Sequence, residues 1–173
     1  REWYDVLMRV YESDEAFDYH GEFYELKGVE GAPKPIQQPR PAVITAGFSP
    51  EGRDYAASTS DFLFTVFTEL RQAKVTLADI GARPAQVARS LEVISTCHVV
   101  CRDTQAEAED YYYHYGVEMD DNEALDRQLA LQKGRSVFQH LGELDEHRLS
   151  FAAGGGSFPL VGTSRKIADE IIK

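Results

Sequence analysis

The sequence predicts an α/β fold in which a parallel sheet is flanked by outer helices. Three observations carry that prediction. Short apolar runs recur at 42–46 (AVITA), 62–67 (FLFTVF) and 91–101 (LEVISTCHVVC), and unbroken apolar runs mark strands covered on both faces. Stretches of helical periodicity separate them, over 50–59 and 69–80, with a further helix starting at Thr104. A repeated strand–helix alternation joins parallel strands through crossovers.

In chain order, REWYDVLMRVYE places Trp3, Val6, Leu7 and Val10 at helical spacing. AFDYHGEFYEL alternates aromatic and polar residues around Gly21, the pattern of a small β-hairpin. Residues 28–41 hold four of the seven prolines and read as a loop. Helix 50–59 follows Ser49-Pro50, an N-cap residue with proline in the first turn. Thr104 and Glu107 form a capping box for the helix that follows the third strand. A long helix at about 120–140 and the Gly-rich FAAGGGSFPLVG break the alternation, and read as an insertion before a last helix capped by Thr163.

Three strands fall short of the eight of a closed barrel of about 250 residues. The chain therefore reads as one partial TIM (β/α) barrel domain over 1–173. Helical spacing is already under way at Arg1, and Ile167, Ile171 and Ile172 still mark an apolar face at the last residues. We expect both ends of the natural domain to lie outside this stretch.

Composition narrows the function. With 43% apolar and 27% charged residues, the 173-residue chain suits one globular core. No apolar run approaches the roughly 18 residues that span a bilayer, and no basic-then-apolar segment opens the chain, so a cytoplasmic protein is expected. The net charge of −11, with no Lys/Arg cluster, argues against a nucleic-acid partner. The acidic runs Glu107–Asp110 and Glu118–Glu123 read as solvated helix surface. Cys97 and Cys101 sit in one extended run, about 13 Å apart, beyond the roughly 7 Å limit for a disulfide, as suits reduced thiols in the cytosol. Neighbouring strand residues face opposite sides, so Cys97, His98 and Cys101 cannot converge on a metal, and none is expected.

The most informative stretch is 39–58, PRPAVITAGFSPEGRDYAAS, a strand running through a Gly- and Ser-bearing bend into a helix. Helix N-termini at the carboxyl ends of parallel strands attract anions. Ser49 adds a hydroxyl, and Gly47 and Gly52 keep the backbone accessible. Two readings stand side by side: a phosphate cradle, or an ordinary Ser-Pro helix start that needs no ligand.

This bend, together with FDYHGEFYEL, PKPIQQPRPAVITAGFSPEGRDYAASTSDFLFTVF, HVVCRDTQAEAE and GGGSFPLVGTSRKIADEI, resembles the bacterial-luciferase-like flavin monooxygenases over nearly the whole chain. The pyrimidine, long-chain alkane and sulfur-compound, and alkanesulfonate monooxygenases are the most similar branches. The resemblance implies a TIM barrel that uses reduced FMN from a separate NAD(P)H-dependent flavin reductase and inserts one oxygen atom of O2 into a small organic substrate, most often as a homo-oligomer. By position it implies that Ser49, with Gly47 and Gly52, contacts the FMN phosphate. Phe64, Thr65 and Thr96 would line the flavin and substrate cavity, and His98 would act on substrate. Gly154, Gly155 and Gly156 would hinge a closing lid. The arginine that alkanesulfonate monooxygenases carry two residues before this histidine is Thr96 here, and a second is Ala153. A sulfonate needs charge-assisted donors, so a neutral or weakly polar substrate is expected. A fragment lacking the early strands is expected to be inactive. Two alternatives share the pattern: a deazaflavin-dependent reductase or dehydrogenase, and a non-catalytic flavin-binding homologue.

Overall fold

The computed structural model of the chain describes residues 1–82, 91–132 and 147–172, and divides into two compact units, Arg1–Val43 and Ile44–Lys173. In the first, helix α1 (Glu2–Glu12) precedes the expected hairpin, β1 (Phe17–His20) paired antiparallel with β2 (Glu25–Val29). Glu2 ties the two together. Its carboxylate accepts the backbone N–H groups of Glu22 (2.6 Å), Phe23 (2.9 Å) and Tyr24 (3.1 Å) at the hairpin turn. These donors, Phe23 foremost, hold the carboxyl below its ordinary pKa against a smaller upward push from burial. Gly21 is required beneath it, since a Cβ there would come within 2.6 Å of the Glu2 Cδ and 2.7 Å of the Tyr19 ring.

The second unit carries the α/β alternation. Its elements run β3 (Ile44–Ala46), α2 (Pro50–Thr59), β4 (Phe62–Thr65), α3 (Leu70–Gly81), β5 (Glu92–Ser95), β6 (Cys97–Cys101) and α4 (Gln105–Tyr113). A π-turn (His114–Glu118), α5 (Asn122–Gln132), α6 (Arg148–Gly154), β7 (Phe158–Gly162) and α7 (Ser164–Ile172) follow. Strands β3, β4 and β5 are parallel neighbours, with Ile44 opposite Phe62 and Phe64 opposite Ile94. A second parallel ladder pairs β6 with β7, Cys97 lying opposite Phe158 and Cys101 opposite Gly162. Leu63 is fully buried in a cluster with Ala56 of α2 and Ile80 of α3, against Leu91 and Val93. Burial of such a side chain contributes about 1.5–3 kcal/mol. That cluster fixes the helices on one face of the first ladder.

Three sequence expectations are corrected here. The run 91–101 is not one ladder strand: its first half pairs with β4 and its second with β7, and Thr96 between them joins neither. Cover on both faces fails at Ile44, which is 58% exposed, because it lies on the face turned away from Leu63 and the helices. The stretch FAAGGGSFPLVG ends one helix and forms a fifth parallel strand, β7. Gly155, at φ 62°, stops α6: its N–H reaches the Phe151 carbonyl (3.0 Å) while that of Gly156 reaches Ser150 (3.0 Å). Pro159 and Gly162 hid the strand, in which Pro159 lies opposite His98 and Gly162 opposite Cys101. The expected helix at 120–140 is present over Asn122–Gln132, and its continuation lies outside the described residues. Among those described, no helix is long and apolar enough to cross a membrane.

Candidate functional site

The candidate residues gather in two clusters, one on each ladder. The first is the bend between β3 and α2. Ser49 is the N-cap of α2, and its Oγ accepts the Gly52 N–H at 3.1 Å. The Ser49 carbonyl takes the Arg53 N–H at 2.9 Å. The two glycines owe their place to backbone contact: a Cβ on Gly47 would sit 2.9 Å from the Gly52 carbonyl carbon, and one on Gly52 would lie 3.3 Å from the Gly47 Cα. The Gly47 N–H reaches the Phe64 carbonyl at 3.3 Å, which moors the bend to the end of β4.

Arg53 was not singled out in the sequence, yet it braces this bend. Its guanidinium donates to the Phe48 carbonyl at 3.0 Å and pairs with Asp79 of α3 at 3.0 Å. Only its place four residues after Ser49, on the first turn of α2, could have marked it. On β4, Phe64 is half-buried and faces away from Leu63, while Thr65 is 5% exposed and lies on the Leu63 face. Strand alternation therefore sets Phe64 and Thr65 on opposite surfaces of the ladder.

The second cluster surrounds His98 on β6. The Thr96 hydroxyl bonds the Ser157 hydroxyl at 3.0 Å, at the start of the β6–β7 ladder. The glycine run thus lies at the amino end of β7, and Gly154 packs on His98, where a Cβ would come within 2.8 Å of its Cβ and Cγ. The rings of Tyr112 and Tyr115 stand 6.2 and 5.8 Å from the imidazole, and the His98 Nε2 is hydrogen-bonded to the Tyr115 hydroxyl. Tyr115 gets there through the π-turn, a conformation that recurs at functional sites. The turn is closed by the Met119 N–H on the His114 carbonyl at 3.0 Å. Buried Gly116 in this turn lies against α6: a Cβ there would sit 2.6 Å from Leu149 Cδ1 and 3.1 Å from the Ala153 Cβ. Burial, and then neighbouring Tyr111, raises the pKa of the Tyr115 phenol, while burial, and then Tyr115, raises that of Tyr112.

His98 and Tyr115 line a pocket of about 210 Å³ with Val99, Val100, Arg102 and Tyr111. The Arg102 guanidinium lies 3.8 Å above the Tyr111 ring. The tyrosines were missed in the sequence, although YYYHY places positions 112 and 115 one helical turn apart. Cys97 and Cys101 are exposed and unpaired with each other. No cluster of three His, Cys, Asp or Glu side chains among the described residues could hold a metal.

Against known proteins, the family model "Luciferase-like monooxygenase" matches residues 1–173. The FMNH2-dependent dimethylsulfone monooxygenase of Pseudomonas putida is 26% identical over 99% of this chain and 48% of its own length. The enzyme of the same name from Pseudomonas fluorescens is 28% identical over 92% of this chain and 44% of its own. Among solved structures, DmoA from Hyphomicrobium sulfonivorans superposes with a TM-score of 0.73 at 18% identity, covering 99% of this chain and 47% of that one. The chain spans about half the length of the dimethylsulfone monooxygenases that it matches.

Proposed function

Since the chain belongs to the luciferase-like monooxygenase family and carries part of its TIM-barrel fold, we propose that it is the portion of an FMN-dependent monooxygenase that holds the flavin phosphate and one wall of the substrate site. The observation that carries this reading is the Ser49 bend. Its Oγ accepts from Gly52, so the hydroxyl's own hydrogen remains available to an anion. The Glu51 N–H, in the first turn of α2, has no helix carbonyl within reach. The bend follows the carboxyl end of a parallel strand, where sites of such folds gather.

The bend fits a phosphate in its donors more than in its charge. Arg53 is already engaged by Asp79, and Glu51 adds an exposed carboxylate. Affinity then rests on the Ser49 hydroxyl and main-chain N–H groups, with the Gly47–Gly52 contact keeping the loop tight. When bound, reduced FMN supplies the O2 chemistry. The chain's own residues orient and shield: Phe64 contributes an apolar wall, Thr96 a hydroxyl beside the β6 start, and His98 a hydrogen bond to substrate. Gly154–Gly156, the glycine stop of α6, is the place where a closing movement would turn. Reduced FMN would come from a separate NAD(P)H-dependent reductase, and the substrate is a small neutral or weakly polar organic molecule, since Thr96 and Ala153 offer a sulfonate no cation and the Arg102 guanidinium at the His98 pocket is stacked on Tyr111.

In the full-length enzyme supplied with reductase and substrate, His98→Ala should lower the yield of oxygenated product per reduced FMN consumed and raise hydrogen peroxide, with FMN affinity little changed. Equal coupling in variant and wild type would remove His98 from the mechanism.

A further inference from the structure

We infer that Tyr115 is a positioning residue for His98: its hydroxyl donates to Nε2 and holds the neutral imidazole in the Nδ1–H form, so that His98 offers its surroundings a hydrogen-bond donor and not a basic nitrogen. The inference deepens the proposed role of His98 and rests on that reading only for its functional consequence.

Four observations converge on the dyad. His98 Nε2 and the Tyr115 hydroxyl are hydrogen-bonded. A phenol is a stronger proton donor than a neutral imidazole N–H, and the imidazole nitrogen is the better acceptor, so the O–H donates. Burial raises the pKa of the Tyr115 phenol, which keeps that donor protonated. The imidazole is also confined: Gly154 lies against its Cβ, Cγ and Nδ1, and the rings of Tyr112 and Tyr115 stand 6.2 and 5.8 Å away. A neutral imidazole has one N–H, so filling Nε2 from outside places the hydrogen on Nδ1.

The placement of Tyr115 depends on the π-turn. The widened turn is seated on α6 by Gly116, where a side chain would collide with Leu149. Three segments, β6, the π-turn and the end of α6, thereby define one imidazole orientation. Both members of the dyad line the pocket of about 210 Å³ that Arg102 and Tyr111 also border.

The test is the tautomer itself. In the full chain labelled with 15N-histidine, at about pH 8.5 where a histidine is neutral, long-range proton–nitrogen spectra report which ring nitrogen carries the hydrogen. His98→Gln identifies the signal. Wild type should show His98 with the hydrogen on Nδ1, and Tyr115→Phe, which keeps the ring packing, should return it to the ordinary Nε2–H form. An Nε2–H wild type overturns the inference without recourse to any variant, and an Nδ1–H form that survives Tyr115→Phe removes Tyr115 from it. Product coupling is read on the same proteins. If Tyr115→Phe switches the tautomer and coupling is unchanged, the positioning stands and the substrate role proposed for His98 falls.

Discussion

Replacing Ser49 separates its two roles, because one oxygen serves both the helix and the proposed ligand. Ser49→Ala removes the acceptor of the Gly52 N–H at 3.1 Å. Loss of such a cap costs about 1 kcal/mol, a fall of roughly 2–4 °C in Tm for a chain of this size. The same change deletes the hydroxyl donor to the phosphate, about 1.5–3 kcal/mol for a hydrogen bond to a charged group, or roughly a 10- to 150-fold rise in the Kd for FMN. Ala alone therefore lowers both stability and affinity. Ser49→Asp parts them: aspartate caps a helix as well as serine does, so Tm should hold, while a carboxylate facing a phosphate should weaken FMN more than Ala does. Anaerobic titration of the full-length protein with reduced FMN, beside thermal melts of each variant, reads both quantities. Wild-type affinity in Ser49→Asp, with only the melting of Ser49→Ala altered, would leave Ser49 a helix cap and nothing more.

Other consequences follow from contacts already described. Gly47→Ala should destabilise by about 1–3 kcal/mol, as overpacking does, and more than Gly52→Ala, because the added Cβ meets main chain at 2.9 Å in the first case and 3.3 Å in the second; chemical denaturation of both variants gives the order. Leu63→Ala should cost about 2–5 kcal/mol, measured as a drop in denaturation midpoint, since the side chain is fully buried between α2 and α3. The Glu2 carboxyl has its pKa lowered by folding. Its contribution is therefore present above the unfolded pKa, near a glutamate's ordinary 4.5, and lost as pH falls through the lower folded value. Glu2→Gln should flatten that acid-side loss, seen in amide exchange at Glu22, Phe23 and Tyr24, and an unaltered pH dependence would contradict the assignment.

Local signals in the sequence were read well where one residue type decides the geometry. Ser49 before Pro50 set the start of α2, and Thr104 with Glu107 set α4, where both halves of the capping box are present. The parallel order of 44–46, 62–65 and 92–95 was legible because apolar runs alternated with helical spacing. What stayed hidden depends on partners distant in the chain. Strand β7 carries Pro159 and Gly162, which argue against a strand until its pairing with β6 is known. The break at Thr96 leaves no mark in an evenly apolar run, being set by which ladder claims each half. The candidate cluster was half legible: His98 was marked by the family resemblance, whereas Tyr115 reaches it only through a π-turn that no helical wheel anticipates.

The divided run at 92–101 also orders the birth of the fold. Strands β3, β4 and β5 come from one continuous stretch of chain, so their ladder needs nothing beyond Ser95, with α2 and α3 packed over Leu63. Strand β6 has no such neighbour: Thr96 meets Ser157 across 61 residues of sequence, and the β6–β7 ladder waits until that intervening chain has emerged. Contacts of this separation form late. Until β7 is in place, Cys-His-Val-Val-Cys has no ladder partner among the described strands, and an unpaired, uncharged, β-prone segment is a site of misassociation. Among the described ladders, β6–β7 therefore joins the most distant stretches of sequence, and it is the one expected to close last.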